Sequence, residues 1–176
     1  MTRGRLFRPR EASGRVTVVA LGLAATLAAA FLAKAAALRY LEGRAPIEIL
    51  GGAVRLGLVE NAGAFLGLGS SLPEGARRGI FLVGVGAVLF AALVWLLRVR
   101  AMPASRTAGA VLMIGGGLAN FLDRLPDGRV TDYVVLTAGP LRTGVFNLAD
   151  AAILMGAILW LGSGITRRRD APSSDA

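Results

Sequence analysis

The chain has 176 residues, 55% hydrophobic and 18% charged, with a mean hydropathy of +0.62, so it is too apolar for an ordinary soluble domain and suits a membrane. It holds no cysteine and no histidine, which excludes disulfides, thiol nucleophiles, Ser/His/Asp triads and the usual zinc sets. The net charge of +9 comes from arginines beside apolar runs, without an aromatic-rich basic surface, so nucleic acid is not an expected partner.

Hydrolytic chemistry in such a chain is left with carboxylates, a Ser/Lys pair, or a metal held by oxygen ligands. Residues 1 to 15 carry five arginines against Glu11 and read as a basic cytoplasmic tail. The apolar run from Val16 to Leu38 follows. A charged start before an apolar core resembles a secretory signal, but 23 residues suffice to span a bilayer, so a retained helix is expected. Lys34, the only lysine, lies near its outer end. It can snorkel to the interface, pair with a carboxylate, or act as base for Ser70 or Ser71.

Beyond Arg39 the alternation of Ile47-Glu48-Ile49 and Val54-Arg55-Leu56-Gly57-Leu58 around Gly51-Gly52 predicts a small hairpin on the membrane surface. Asn61 and Gly63 then read either as a turn or as a place where a substrate backbone is held. Gly79 to Leu97 and Thr107 to Leu122 are the second and third apolar segments, and Gly115-Gly116-Gly117 in the third would permit close helix packing. Phe146 to Ile165 is the fourth, before Arg167-Arg168-Arg169 and a polar tail.

The expected architecture is therefore an α-helical integral membrane protein with four transmembrane helices and a small extracytoplasmic β-hairpin or sheet between helices 1 and 2. Residues 16 to 165 form the membrane domain, and residues 1 to 15 and 166 to 176 form its tails. Segments 1–15, 98–106 and 166–176 hold 11 arginines against 3 acids, and segments 39–78 and 123–145 hold 8 against 7, which puts both termini in the cytoplasm.

That topology gathers Asp123, Asp132 and Asp150 at the outer face. Asn120 precedes Asp123 by three residues and Asn147 precedes Asp150 by three, and each pair shares a helix face. Two carboxylates in a poorly hydrated place share a proton, so one can act as acid and the other as base on a peptide carbonyl. The same acids would also suit a proton or cation carrier, or simple pairing with Arg124, Arg129 or Arg142. Spacing leaves open which two of the three would form a dyad.

Three ordered blocks resemble the lipoprotein signal peptidase (signal peptidase II) family: Gly115-Gly116-Gly117-Leu118-Ala119-Asn120-Phe121-Leu122-Asp123-Arg124, Val130-Thr131-Asp132-Tyr133 and Phe146-Asn147-Leu148-Ala149-Asp150. The resemblance implies a bacterial inner-membrane aspartyl endopeptidase that removes signal peptides before the diacylglyceryl cysteine of prolipoproteins. It places the catalytic dyad at Asp132 and Asp150, with Asn61, Gly63, Asn120, Asp123, Arg124 and Asn147 as substrate-binding or supporting residues. It implies no metal and no cofactor, with prolipoproteins and membrane lipid as partners of a monomer. Two departures stand out. Ala30-Phe31-Leu32-Ala33 replaces the family's Asp-Gln pair ahead of Lys34, leaving that lysine without its usual acid, and Asn61-Ala62-Gly63-Ala64-Phe65-Leu66 stands for NTGAAF. A catalytically altered paralogue or an ion-coupled four-helix protein is the alternative.

Overall fold

A computed structural model describes residues 9–63, 71–99 and 102–169. The rest of the expected tails, residues 64–66 of the Asn61–Leu66 stretch, and Ser70 lie outside them. Four helical rods carry the described chain: α1 (Pro9–Leu41), a second rod made of α2 (Glu74–Arg78), a π-helical turn (Gly79–Gly84) and α3 (Val85–Arg98), then α4 (Ala104–Arg124) and α5 (Leu148–Arg169). By length and composition, two stretches are apolar enough to cross a membrane, Gly14–Leu41 and Glu74–Arg98, while Leu148–Ser163 is a shorter apolar helix. The rods carry large apolar side chains facing outward, such as Leu21 and Leu32 on α1, Val83 and Phe90 on the second rod, and Leu161 on α5. Such a surface asks for an apolar solvent.

Helix α4 is the shared wall of the bundle, and its three successive glycines show why. Consecutive helical residues point about 100° apart, so three in a row address three neighbours. A Cβ on Gly115 would meet Thr26 of α1, one on Gly116 would meet the Ala149 backbone of α5, and one on Gly117 would meet Leu89 of α3. Lower on the same helix, Gly109 packs against Gly156 of α5, backbone on backbone. Small residues draw helices together here because lipid offers little hydrophobic drive for association. Ala30, Ala119 and Ala149 close the bundle below the site, and Val19, Leu96, Ala110, Val111 and Ile114 fill its other half.

The expected hairpin is part of a larger sheet. Strands β1 (Ile47–Ile49) and β2 (Val54–Asn61) pair around a turn in which Gly51 and Gly52 take φ of 65° and 87°. The sheet continues through β3 (Val130–Ala138) and β4 (Leu141–Arg142), all antiparallel in the order β1-β2-β3-β4. Thus the connection between α4 and α5 supplies half the sheet, and Asp132 lies on a strand. The expected small sheet is present, but its location between the first two helices covers only β1 and β2; β3 is buried on both faces near its start and so lacks a clear alternation in sequence. Asn61 ends strand β2, and its side chain turns back on the Gly63 amide, so the strand end and the expected turn coincide. The expected fourth helix begins two residues late, since Phe146 bridges Val134 in extended conformation. Tyr133, Ala37 and Leu41 seat the sheet on the end of α1.

Gly109→Val should lower the thermal stability of the detergent-solubilised protein by about 1–3 kcal/mol through overpacking against Gly156. Gly162→Ala, on α5 with open space around the new methyl group, should be neutral or stabilising by up to about 1 kcal/mol. Equal melting temperatures for the two variants would contradict this account of α4–α5 packing.

Candidate active site

The chain brings Asp132 and Asp150 together through Asn147. Val134 and Phe146 exchange backbone hydrogen bonds of 2.9 Å, and the Tyr133 amide also donates to the Phe146 carbonyl at 3.1 Å. Residue 147 is thereby delivered beside Asp132 just where α5 must begin. Asn147 caps that helix. Its side-chain Oδ1 accepts from the Asp150 amide at 3.1 Å, its own amide donates to Asp150 Oδ2 at 3.2 Å, and its carbonyl accepts the Ala151 amide. This is a reciprocal capping box with an Asn-x-x-Asp sequence.

The other end of the Asn147 amide ties the site together. Nδ2 donates to Asp132 Oδ1 at 2.7 Å and to Asn120 Oδ1 at 3.0 Å. Asn120 Nδ2 donates in turn to Asp150 Oδ1 at 2.7 Å, and Asn61 Nδ2 donates to Asp132 Oδ2 at 2.8 Å. Every oxygen of both carboxylates therefore accepts a hydrogen bond, three of the four from side-chain amides. Asp132 is 1% exposed and Asp150 8%. Burial pushes the Asp132 carboxyl up to about 6, with the nearby Asp150 charge adding to the rise, while the Asn61 and Asn147 donors oppose it.

Arg124 completes the chamber. It is buried, its guanidinium donates to the Gly63 carbonyl, and it lies over the Phe81 ring at 4.9 Å from the centroid. Asn61 Oδ1 accepts the Gly63 amide at 2.9 Å, so both sides of the Gly63 backbone are held. Asn61, Phe81, Asn120, Arg124, Asp132 and Asp150 line a cavity of about 190 Å³. The chamber can hold a peptide group and a water between two carboxyls, with donors fixing each acid.

Asp123 stands apart from this chamber. The matching Asn/Asp spacings do not distinguish Asp123 from Asp150, yet Asn120 reaches across to Asp150 rather than to Asp123. Asp123 pairs with Lys34 through Oδ1 and accepts the Thr131 amide on Oδ2 at 3.0 Å. Lys34 therefore has an acid after all: the residue missing from α1 is supplied by α4. Ser71 has no claim on that lysine, since its ammonium is engaged with Asp123. Two contributors escaped the sequence reading. Phe81 had no polar signature, whereas the hydroxyl of Tyr133, which accepts the Leu148 amide at 3.2 Å, was visible as a tyrosine directly after Asp132. Burial raises the Tyr133 phenol, so it remains a neutral hydroxyl.

Comparison with known proteins bears on this arrangement. Residues 22–165 match the Signal peptidase (SPase) II family. The lipoprotein signal peptidase of Burkholderia cenocepacia (strain HI2424) is 35% identical over 114 residues, 65% of this chain and 68% of that one. That of Burkholderia vietnamiensis (strain G4) is 35% identical over 112 residues, 64% of this chain and 66% of its own length. The chain thus spans about two thirds of these relatives. The fold is similar to two solved structures described as bacterial membrane enzymes, one with a TM-score of 0.77 at 17% identity, covering 92% of this chain and 95% of that one. The other has a TM-score of 0.71 at 18% identity, covering 85% and 94%.

Lys34→Met would leave Asp123 with one oxygen unpartnered, and we expect it to cost about 1–3 kcal/mol in thermal unfolding. Lys34→Arg should recover most of that loss. A melting temperature unchanged in Lys34→Met would mean that the ion pair contributes nothing to holding α1 on α4.

Proposed function

The chain belongs to the signal peptidase II family and is a peptidase of lipoprotein processing, and we propose that it works as an intramembrane aspartyl endopeptidase with Asp132 and Asp150 as its catalytic pair. The observation that carries this reading is the closed amide circuit from Asn61 through Asp132, Asn147 and Asn120 to Asp150. A carrier needs a group that can release its ion to either side. Here both carboxylates are clamped to one cavity with all four oxygens engaged.

In the proposed reaction Asp132 is the ionised partner, since two short amide hydrogen bonds favour its anion. It takes a proton from the attacking water as the water oxygen bonds to the scissile carbonyl carbon. Asp150, protonated, donates to the carbonyl oxygen as that oxygen gains charge. When the tetrahedral intermediate collapses, the C–N bond breaks, the amine leaves with the proton that Asp132 received, and the carbonyl oxygen returns its proton to Asp150. No step needs a metal.

The substrate in this reading is a lipid-modified prolipoprotein cut on the N-terminal side of its diacylglyceryl cysteine. All four rods span the bilayer, both termini are cytoplasmic, and the dyad lies at the outer face under the sheet. The arginine distribution and the gathering of Arg15, Arg98 and Arg106 at the end of the bundle opposite Asp132 support that orientation. Substrate enters laterally from the membrane, and the chain acts as a monomer.

Asp132→Asn and Asp150→Asn, tested separately, should each reduce processing of a prolipoprotein in reconstituted vesicles by about 10²–10⁴-fold while the helical content is retained. Wild-type rates in either variant would remove that residue from the pair. The rate should also depend on pH. Below about 6 the Asp132 carboxyl is protonated and cannot accept a proton from water, so kcat/KM should fall about tenfold per pH unit on that limb. Asn61→Leu removes a donor that favours the anion, so the limb should move to higher pH; a limb that stays in place would argue against Asp132 as the base.

A further inference from the structure

A large concavity in the described structure lies far from the carboxylates. It occupies about 810 Å³ at the opposite end of the bundle, between the start of α1 and the start of α4. Helices α1 and α4 touch where Gly22 meets Val111. Beside that contact Gly14, Ala25, Ala104 and Ala108 present little or no side chain, and the groove opens. Its walls are mostly apolar, with Val18 and Leu112 among them, and Arg15 is the one charged residue of the lining.

The charge of this end is one-sided. Arg15 donates to the Leu96 carbonyl at 3.0 Å, Arg106 donates to Ser163 at 3.0 Å and lies over Trp160, and Arg98 is exposed. Among the described residues none of the three is paired with an acidic side chain. Sequence segments 1–15, 98–106 and 166–176 together hold 11 arginines against 3 acids.

We propose that this groove is a binding site for an anionic phospholipid, with an acyl chain lying along Ala104, Ala108 and Val18 and the headgroup at Arg15. The inference rests on the membrane reading above. Two other occupants are disfavoured by sign. The signal peptide of a secreted substrate carries a positively charged n-region, which this end repels. A second copy of the chain would bring an equally basic end. An anionic headgroup is attracted, and its chain fills a space that the small residues leave open.

The test uses the full chain in phosphatidylcholine vesicles containing a small, equal fraction of brominated phosphatidylglycerol or brominated phosphatidylcholine. The reporters are the only two tryptophans, Trp95 and Trp160, whose ring centroids lie 5.6 Å apart at this end. Trp160 packs against the same core cluster as Met102, which lines the groove. One arginine near the surface predicts about fivefold enrichment of the anionic lipid over the neutral one, read as stronger quenching. Ala108→Phe fills the groove from an exposed position and should abolish the preference without changing prolipoprotein processing in the same vesicles. Arg15→Gln should reduce the preference. Equal quenching by the two lipids in the wild type overturns the proposal, as does a preference that survives Ala108→Phe. Loss of processing in Ala108→Phe with the lipid preference intact would assign the groove to substrate instead. Vesicles that show the preference but process nothing would support the lipid site and count against the peptidase reading.

Discussion

Placing two acids out of water side by side is the constraint on which the sheet end of this molecule depends. An unpaired ionised carboxylate in the apolar region costs several kcal/mol, and two of them repel. The chain answers with neutral donors rather than with a cation alone. Asn147 is the centre of that answer because each of its polar groups has a separate duty: one face of its amide starts α5 and positions Asp150, while the other holds Asp132 and Asn120. Aspartate at 147 would match its size but could not donate, so the demand is for an amide and not merely for polarity.

The two candidate catalytic carboxyls belong to different kinds of structure, one on strand β3 and one in the first turn of α5. Their spacing is consequently set by how the sheet sits on the bundle. The Val134–Phe146 bridge, the Leu148 amide on the Tyr133 hydroxyl and the Asp123 carboxylate on the Thr131 amide each fasten β3 to a helix end. Lys34 extends that fastening to α1. Three helices and the sheet therefore converge on a few residues, and the glycines of α4 keep the helices near enough for the side chains to meet.

Much of this was legible in the amino-acid order and some was not. Four apolar runs announced the four rods, because a helix in an apolar solvent must be continuously apolar on its outer side. The glycine triplet announced close packing. The identity of the second candidate carboxyl was hidden from spacing, since Asn120 and Asp123 share a helix face with the same periodicity as Asn147 and Asp150. Only the third dimension shows Asn120 crossing to the other helix. The missing acid of α1 misled for a related reason: a partner 89 positions away cannot be found by inspecting neighbours. Strand β3 was concealed because a strand covered on both faces loses the alternation that would reveal it.

The Lys34–Asp123 ion pair has a further consequence, which lies in chemistry rather than in stability. Lys34 is the chain's sole lysine, so its side-chain amine is unique, and that amine is held against Asp123 beneath the sheet. An acylating reagent meets one ε-amine in this protein, at the junction of α1, α4 and β3. Its rate of modification becomes an address-specific report on whether that junction is closed, with no label to introduce and no competing site along the chain apart from the amino terminus.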